Sequence, residues 1–449
     1  MSLRRTWLSC LAGLNFGPSV RSRRVAFRPP AIEALEDRKY LSATMTVLSD
    51  GHTLNIVGDS GDNRIDIVQD DRGVHVTADR GSLQNFTGIQ AITVQTGYGN
   101  DEVRVIYGFN PQPDPPGDQS RSLDLRVSLG AGDDKFSADL QVPAGTIRLG
   151  VDAGTGNDSV TFRTVSDPTE RPGGVIDPNV RNVLLYANLG DGNDVFNGEF
   201  QFPPDPCQVM VIGGGGADSI NALIGLLSNA TPAGNAQGTI DLSLNGGDGN
   251  DNIQSAIRNV NLNGRVTVDL QGGAGNDIVQ QTLEMVKVNA GLDLKASGGI
   301  GDDYVVLSAA SASGTTGRAT PTLIANSAVR FNLQGDAGND RLVGLLQPCI
   351  TPVGTLDLIF GGGAGNDLFN LMLDLEAGDL NPPSNRDPAS QQDGPIRLSA
   401  LGGDGDDRLY LSVRNLARSK SLFNAVLDGG PGLDTALVTS GIDSKGWTN

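Results

Sequence analysis

The sequence has little of the residue types that build large aromatic cores, histidine metal sites and disulfide frameworks. Aromatic residues make up 5% of its 449 residues, and it contains two histidines and three cysteines. Cys207 and Cys349 each stand beside Pro in a segment predicted to be an insertion loop, and about five repeats separate them, so we expect no disulfide between them. These shortages argue against a histidine-rich metal centre and a cysteine-stapled fold.

Glutamate is also scarce, although acidic residues are abundant. Only 7 of the 52 acidic residues are Glu, and the other 45 are Asp. Helical surfaces favour Glu, whereas turns favour Asp, because its short side chain bonds nearby main-chain groups or a cation held there. The composition therefore predicts a protein rich in turns and strands. No apolar run is long enough to span a membrane as a helix.

Charge is distributed unevenly along the chain. Residues 1–40 contain eight basic and three acidic residues, whereas the rest contains 25 basic and 49 acidic residues, and the formal net charge is −19. A strongly acidic body favours cations as partners and disfavours nucleic acid and anionic membranes. We therefore divide the chain into a basic segment, residues 1–44, and an acidic body, residues 45–449.

One short pattern, a glycine-rich turn that ends in Asp or Asn, occurs thirteen times in the body. Eleven copies match G-x-G-x-D in full, whereas the composition predicts about 0.8 copies by chance. We call each copy a Gly-Asp turn and its last residue the final position. In chain order the final positions are Asn63, Asp101, Asp134, Asp158, Asp194, Asp218, Asp251, Asp277, Asp303, Asp340, Asp367, Asp407 and Asp434. The pattern is therefore an internal repeat and not a product of composition.

Alternating apolar and polar residues flank the Gly-Asp turns. The segments 240–244 and 266–270 each precede a turn, and Ile253 follows one. Such alternation is typical of strands with one buried face, and it argues against a doubly wound α/β fold, whose parallel strands are buried on both faces. The sequence predicts an all-β parallel β-solenoid of about 13 coils, with the Gly-Asp turns stacked along one edge. Repeated antiparallel hairpins are the alternative.

The spacing between turns indicates where additional residues are inserted. Successive final positions lie 24 to 40 residues apart, which indicates a basal unit of about 25 residues with insertions. The insertions fall after the second strand of a unit and include the segments 108–120, 164–178, 309–328 and 377–395. A constant turn combined with variable loops elsewhere is typical of solenoid repeats.

The residue types in the turn suit a hard cation. Glycines allow main-chain carbonyl oxygens to point inward, and the final Asp adds a carboxylate; Ca²⁺ prefers such oxygen ligands. Stacked turns lie about 4.8 Å apart in a solenoid, so two successive turns can complete one site. The predicted metal ligands are Asp101, Asp134, Asp158, Asp194, Asp218, Asp251, Asp277, Asp303, Asp340, Asp367, Asp407 and Asp434. The alternative is a plain turn in which each Asp bonds main-chain N–H groups without a metal.

Four turns extend this pattern to nine positions: GGDGNDNIQ (246–254), GGAGNDIVQ (272–280), GGAGNDLFN (362–370) and GGDGDDRLY (402–410). They resemble the RTX, or hemolysin-type, calcium-binding nonapeptide G-G-x-G-x-D-x-U-x, in which U is apolar. The resemblance implies a calcium-binding parallel β-roll with a carboxylate ligand at the sixth position and a core residue at the eighth. The implied ligands are Asp251, Asp277, Asp367 and Asp407, and the implied core residues are Ile253, Val279, Phe369 and Leu409. RTX nonapeptides run in tandem, whereas this chain has one in each long coil.

The basic segment contains a short stretch similar to a known export-associated sequence. Residues 35–42, LEDRKYLS, resemble the LEPR-XLL segment near the N-termini of large exported proteins of planctomycete-type bacteria. Asp37 stands where that pattern has Pro, and Tyr40 stands where it has Leu. No ordinary apolar signal-peptide core precedes the stretch. The resemblance implies export, so we expect the protein outside the cell or at its surface.

Two hypotheses about function follow from the repeat. The first is an exported, calcium-stabilised structural or adhesive protein, with surface polysaccharide or other surface proteins as partners besides calcium. The second is a β-helix polysaccharide lyase or hydrolase that uses calcium and a basic residue such as Arg181 or Arg330. Adjacent acids such as Asp133 and Asp134 belong to the repeated turn, whereas a catalytic pair should occur once. The repeat therefore favours the first hypothesis.

Overall fold

Strands make up the regular structure of the described residues in the computed structural model. The structure describes residues 43–70, 72–79, 81–108, 123–141, 145–165, 180–201, 206–225, 234–236, 238–310, 323–347, 349–350, 354–374, 394–414 and 423–439. All of them belong to one compact unit, Ser42–Asn449. The predicted export segment, residues 1–44, lies outside the described residues except for its last two positions. Among the described residues, no helix is long and apolar enough to cross a membrane.

The strands are numbered β1 to β32 in chain order. Their bounds are β1 Thr44–Val47, β2 Thr53–Val57, β3 Arg64–Asp70, β4 Gly73–Ala78, β5 Gln84–Phe86, β6 Ala91–Tyr98, β7 Glu102–Tyr107, β8 Leu123–Ala131, β9 Lys135–Gln141, β10 Gly145–Thr155, β11 Ser159–Val165, β12 Val180–Asp191, β13 Val195–Phe200, β14 Cys207–Gly215, β15 Ser219–Gly225, β16 Gly234–Ala236, β17 Ile240–Asp248, β18 Asn252–Leu262, β19 Arg265–Ala274, β20 Ile278–Val288, β21 Gly291–Ile300, β22 Tyr304–Ala310, β23 Leu323–Ala325, β24 Val329–Ala337, β25 Arg341–Gln347, β26 Cys349–Ile350, β27 Leu356–Ala364, β28 Leu368–Asp374, β29 Ile396–Asp404, β30 Arg408–Arg414, β31 Phe423–Asp428 and β32 Thr435–Thr439. They form two long sheets, which we call sheet A and sheet B.

Each coil consists of one strand in sheet A, a Gly-Asp turn and one strand in sheet B. Sheet A has the order β1-β2-β6-β8-β10-β12-β14-β17-β19-β21-β24-β27-β29-β31. The main stack of sheet B has the order β5-β4-β3-β7-β9-β11-β13-β15-β18-β20-β22-β25-β28-β30-β32. Successive coils pair in parallel, and Leu242, Val268 and Leu294 lie in register. The predicted parallel β-solenoid with thirteen stacked turns is confirmed, and the alternative of antiparallel hairpins is wrong.

The core lies between the inner faces of the two sheets, because apolar residues alternate along each strand. In β17, Leu242 and Leu244 are buried, while the residues between them face outward. On three successive strands of sheet B, the rings of Phe136, Phe162 and Phe196 pack edge to face, with centroids 5.9 and 5.5 Å apart. Each such aromatic pair contributes about 0.5–1.5 kcal/mol beyond area burial.

The residues that the RTX resemblance placed in the core are largely buried. Ile253, Val279 and Phe369 are at most 2% exposed, and Leu409 is partly buried against the core. Cys207 was predicted to lie in an insertion loop, and this prediction is wrong: it begins β14, and its buried side chain has a thiol pKa raised to about 12 by desolvation. A thiol with such a pKa stays protonated and unreactive at neutral pH.

The connections at the two ends of the sheet B strands differ in length. At one end of each coil, a Gly-Asp turn joins the strand of sheet A to the strand of sheet B. At the other end, the chain returns to sheet A through a connection of variable length. The predicted insertions 108–120, 164–178, 309–328 and 377–395 lie largely outside the described residues; of the described ones, 164–165 belong to β11, 309–310 to β22 and 323–325 to β23. Between β18 and β19, and again between β20 and β21, the return connection is only two residues long.

The two ends of the solenoid are built differently in the described residues. At the first coil, β1 pairs antiparallel with β2, and β4 and β5 extend sheet B antiparallel beyond β3. These strands cover edges that would otherwise present unpaired main-chain groups. At the last described coil, β31 and β32 are the edge strands, and Leu433 and Leu437 are exposed.

Candidate metal-binding turns

Each Gly-Asp turn has a shape that requires glycine at two positions. In the turn of Asp251, Gly247 and Gly249 have φ angles of +112° and +140°, in the left-handed region that side chains avoid. The turns also stack closely, because a Cβ atom added to Gly249 would overlap the carbonyl oxygen of Gly216 in the preceding turn. Both the main-chain conformation and the stacking distance therefore require these glycines.

The final positions form a continuous hydrogen-bonded row, which we call the final-position ladder. The main-chain N–H of each final residue donates to Oδ1 of the final Asp in the next turn, as Asp251 does to Asp277 at 2.7 Å. All twelve steps from Asn63 to Asp434 have this bond, at 2.6 to 3.0 Å. Because carboxylates accept such bonds strongly, the ladder fixes the register of successive turns.

A second ladder joins the penultimate positions, the residues immediately before the final ones, and it runs in the opposite direction. Here the side-chain Oδ1 of one turn accepts the main-chain N–H of the following turn, as Asn250 does from Asn276 at 2.7 Å. Eleven of the twelve steps have this bond. The step after Ala217 lacks it, because the alanine side chain has no acceptor for the next turn.

The two ladders separate the adjacent acids that the sequence places side by side. Asp134 is 1% exposed in the final-position ladder, whereas Asp133 is exposed and its Oδ1 accepts the main-chain N–H of Asn157 at 2.8 Å. The pairs Asp302–Asp303 and Asp406–Asp407 follow the same rule. Adjacent acids therefore have different surroundings and different structural roles.

Main-chain carbonyl groups of the turns also form bonds between turns. Ile300 O accepts the N–H of Gly275 from the preceding turn at 2.8 Å, and Asp251 O accepts the N–H of Ile278 from the following coil at 2.8 Å. The expectation that the turn points its successive carbonyl oxygens inward together is wrong at these two positions, because those carbonyls bond along the stack. The side chains of the final positions are therefore the next candidates for metal ligands.

The second carboxylate oxygen of nearly every final Asp is buried without a hydrogen-bond partner. These side chains are 1 to 3% exposed. The unpartnered Oδ2 atoms belong to Asp101, Asp134, Asp158, Asp194, Asp218, Asp251, Asp277, Asp303, Asp340, Asp367 and Asp407. The twelfth predicted ligand, Asp434, is exposed in the last described coil. Because each unsatisfied buried acceptor costs about 1–3 kcal/mol, and more when charged, the row needs protons or cations.

Burial raises the pKa of all eleven buried carboxyl groups, and nearby carboxylates raise it further. The hydrogen bond that Oδ1 accepts from the main chain opposes this rise. The pKa is raised to about 7 for Asp158, Asp218, Asp303 and Asp367, and to about 6 for Asp134, Asp277 and Asp340. It is also raised for Asp101, Asp194, Asp251 and Asp407.

Two oxygen atoms converge beside one residue in many turns. This residue stands five positions before the final Asp, and we call its place the leading position. A Cβ atom added to the leading Gly272 would lie within 3.0 Å of Oδ2 of Asp277 and of the carbonyl oxygen of Gly298, the leading residue of the next turn. Both oxygens are acceptors, and Oδ2 has no donor. Sequence analysis missed this position, although the first glycine of each G-G pair was the available signal.

These oxygens fit a hard cation. The described residues contain no group of three or more His, Cys, Asp or Glu side chains that could hold a metal ion. A cation in a turn would therefore be held by the Asp carboxylate of that turn and by the leading main-chain carbonyl oxygen of the next turn. Ca²⁺ accepts such all-oxygen surroundings in variable geometry, whereas softer metals require His or Cys ligands.

The basic residues named for a catalytic role do not join the turns. Arg330 lies exposed on sheet A, in register with Asp293 and Asp357. For Arg181 the structure gives main-chain position alone, in β12. Comparison of the chain with protein-family models, with curated proteins and with solved structures gives no match. The geometry of the turns is therefore the available evidence on function.

Proposed function

We propose that the chain is an exported, calcium-binding structural or adhesive protein of the cell surface or extracellular matrix. Calcium ions bound within the stacked Gly-Asp turns stabilise its solenoid. The observation that carries the proposal is the row of eleven buried Asp Oδ2 atoms without hydrogen-bond partners. A row of carboxylates inside a protein requires neutralisation by protons or by cations.

The first turn supports this interpretation because it has a carboxamide where the others have a carboxylate. Asn63 Oδ1 accepts the main-chain N–H of Asp59 at 3.0 Å, and its Nδ2 donates to the Asp59 carboxylate at 3.3 Å. A carboxamide at the final position can therefore satisfy both of its polar atoms within the turn. The other turns have a carboxylate at this position, and its negative charge is not required for hydrogen bonding within the turn.

The electrostatic cost of the row is large compared with the stability of a folded domain. Unit charges about 4.8 Å apart repel by roughly 0.9 kcal/mol in water and by about 3.5 kcal/mol at an effective dielectric constant of 20. Repeated along a dozen turns, this repulsion is comparable to the roughly 5–15 kcal/mol that separates folded from unfolded states. Neutralisation of the carboxylates is therefore decisive for folding.

Calcium bound in the turns supplies positive charge between neighbouring carboxylates. The residues that hold it are final Asp residues, together with leading-position carbonyl groups of the following turns. Because these oxygens come together only when turns stack, the free energy of calcium binding adds to that of folding. The return connections of the coils vary in length, so a rigid body carries variable loops, as a scaffold or adhesin requires.

Thermal unfolding of the full chain, followed by far-UV circular dichroism, tests the proposal. The protein is refolded from urea with excess chelator, with millimolar calcium, or with equal magnesium. We expect a much lower midpoint or a lost β-sheet signal in chelator, with recovery in calcium. Magnesium should restore less, because it demands octahedral geometry and dehydrates reluctantly. Identical spectra and midpoints in chelator and in calcium would contradict the proposal.

A further inference from the structure

The thirteen Gly-Asp turns fall into two groups at the leading position. Glycine occupies it in the turn of Asn63 and in the last eight turns. The other four turns have a side chain there. These leading residues are Thr96, Leu129, Ala153 and Leu189, and they belong to the turns of Asp101, Asp134, Asp158 and Asp194.

In the glycine group, the convergence of oxygens beside the leading residue recurs from turn to turn. A Cβ atom added at the leading glycine would lie within 3.0 Å of Oδ2 of the same turn's Asp at Gly213, Gly246, Gly272, Gly298, Gly335, Gly362, Gly402 and Gly429. The next leading carbonyl oxygen would also lie within 3.0 Å of that Cβ atom at Gly213, Gly246, Gly272, Gly335, Gly362 and Gly402. Real Cβ atoms do not approach other heavy atoms this closely. The arrangement of oxygens in these turns therefore exists only because the side chain is absent.

Three turns have an aliphatic side chain at the leading position. Leu129, Ala153 and Leu189 are fully buried. At this position of the repeat, a Cβ atom is incompatible with the approach of the two oxygens that the glycine group shows. Because an aliphatic group also offers neither charge nor a hydrogen bond, these turns are poorly suited to bind a metal.

The turn of Asp101 shows what kind of partner this position attracts. The Thr96 hydroxyl donates to the carbonyl oxygen of Leu129, the next leading residue, at 2.6 Å. The same hydroxyl lies beside Asp101 and partly offsets the rise in the pKa of that carboxyl. At this turn the leading carbonyl therefore accepts a hydrogen bond from the side chain of the preceding leading residue. A leading glycine has no side chain that could donate to the corresponding carbonyl.

We infer that calcium binds only in the turns that combine a leading glycine with a buried final Asp, and that the first five turns stack without it. The inference rests on the proposed function and specifies its sites. The seven calcium-binding turns are those of Asp218, Asp251, Asp277, Asp303, Asp340, Asp367 and Asp407. The solenoid therefore has a metal-free part, up to Asp194, followed by a metal-bound part.

Counting the ions tests this division. The full chain is refolded in calcium, passed through a calcium-free desalting column, and analysed for calcium per chain by elemental mass spectrometry and by native mass spectrometry. We expect seven tightly held ions per chain. Eleven or twelve ions, one for nearly every gap between turns, would overturn the inference but leave the proposed function intact. No bound calcium would overturn the proposed function itself.

Two reciprocal substitutions at the leading position sharpen the count. Ala153→Gly removes the leading side chain in the turn of Asp158, and we expect eight ions. Gly272→Ala introduces a methyl group that clashes with both oxygens in the turn of Asp277, and we expect six. An unchanged count in the Ala153→Gly variant would contradict the inference even if the Gly272→Ala variant fails to fold.

Two further glycines provide matched controls in the same sheet. A Cβ atom added to Gly150 has no heavy atom within 4 Å, and one added to Gly291 has only an ordinary contact at 3.8 Å. Gly150 lies in the same strand as Ala153, β10. Gly291 lies in β21, which pairs in sheet A with β19, the strand of Gly272. The Gly150→Ala and Gly291→Ala variants should both retain seven ions, so a changed count in either would overturn the assignment to the leading position.

Discussion

The metal-free and metal-bound parts of the solenoid share their fold but differ at one position of the repeat. The turns of Asp158 and Asp277 both join the final-position ladder, at 2.6 and 2.7 Å, and both bury an unpartnered Oδ2 atom. They differ in that Ala153 leads the first turn and Gly272 leads the second. The ladders and sheets therefore form without a leading glycine.

This difference separates the requirements of stacking from those of metal binding. The positive-φ glycines are needed wherever turns stack, as Gly154 in one part and Gly273 in the other show. The leading residue has no positive φ and accepts a methyl or isobutyl group in the first part. Glycine at this position is thus explained by the close approach of the Asp carboxylate to it. Four predictions test whether the two parts differ in this way.

Calcium removal should have the largest effect and should act on one part of the chain. In the full chain, main-chain amides of residues 238–310 should lose most of their hydrogen-exchange protection in chelator, whereas those of residues 123–165 should lose much less. The physical reason is that binding free energy is coupled to folding only where ions bind. Exchange measured by mass spectrometry in chelator and in calcium provides the comparison. Equal loss in both parts would contradict the division.

The pH dependence of the calcium-free protein should be the next largest effect, and both parts should show it. The folded-state pKa values of about 6 to 7 lie above the ordinary Asp value of 3.8, so between these values the folded chain holds protons that the unfolded chain has released. The stability that these groups contribute is therefore greatest below about pH 4, decreases above it and is lost once the pH has risen through about 6 to 7. A pKa difference of one between the folded and unfolded states corresponds to about 1.4 kcal/mol per carboxyl.

Urea unfolding of calcium-free protein between pH 4.5 and 8 measures this dependence. With calcium present, the loss of stability at high pH should persist in the metal-free part alone. Hydrogen exchange distinguishes the stability of the two parts. A midpoint that rises with pH over this range in calcium-free protein would show that the carboxyl groups are stabilised as anions by the fold itself.

Replacing a single final Asp with Asn should change stability in opposite directions in the two parts. Asp158→Asn removes an uncompensated buried charge, keeps the Oδ1 acceptor and should stabilise the protein by about 1–3 kcal/mol at pH 7.5. Asp277→Asn removes a calcium ligand and should destabilise the calcium-loaded protein by about 1–3 kcal/mol. Urea unfolding in calcium measures both. In calcium-free protein, both variants should be more stable than the unchanged chain. Destabilisation of both variants in calcium would contradict the difference between the two parts.

The smallest effect should come from repairing the penultimate ladder. Ala217→Asn introduces a side-chain acceptor for the main-chain N–H of Asn250, at the one step where the ladder lacks it. We expect a gain of about 0.5–1.5 kcal/mol, with or without calcium, because the added bond is a neutral hydrogen bond. Ala217→Ser, whose side chain is shorter, serves as the control and should gain less. A gain confined to calcium-loaded protein would contradict the purely structural role of this ladder.

The sequence predicted the architecture well because its information is periodic. Alternation around Leu242 and Leu244 determines which face of a strand is buried, and the recurring final Asp determines the length of a coil. The thirteen turns and the length of a coil follow from those two periods, whereas parallel pairing was one of two arrangements compatible with them. Cys207 was misplaced because Pro residues precede it closely, although its own position already belongs to the apolar alternation of β14.

The finer features of the turns could not be predicted, because they depend on distances between turns. Sequence shows an Asp at position 277, but only the stack shows that Oδ1 accepts a hydrogen bond while Oδ2 has no partner. The opposite directions of the two ladders and the two oxygens that converge beside Gly272 also depend on distances between turns. They involve atoms from turns about 26 residues apart, which no local pattern relates.

The two-residue return connections around β19 and β21 also have a consequence for how the chain folds. Closing a coil costs entropy that grows with the length of the loop, so the uninterrupted segment 238–310 forms contacts at the lowest entropic cost. We expect it to nucleate folding and the outer coils to add to it one at a time, since each coil contacts only its neighbours. Pulse-labelled hydrogen exchange during refolding should show protection there first. Insertions at the return connections would then slow the addition of their own coil without altering the nucleus from which the rest of the solenoid grows.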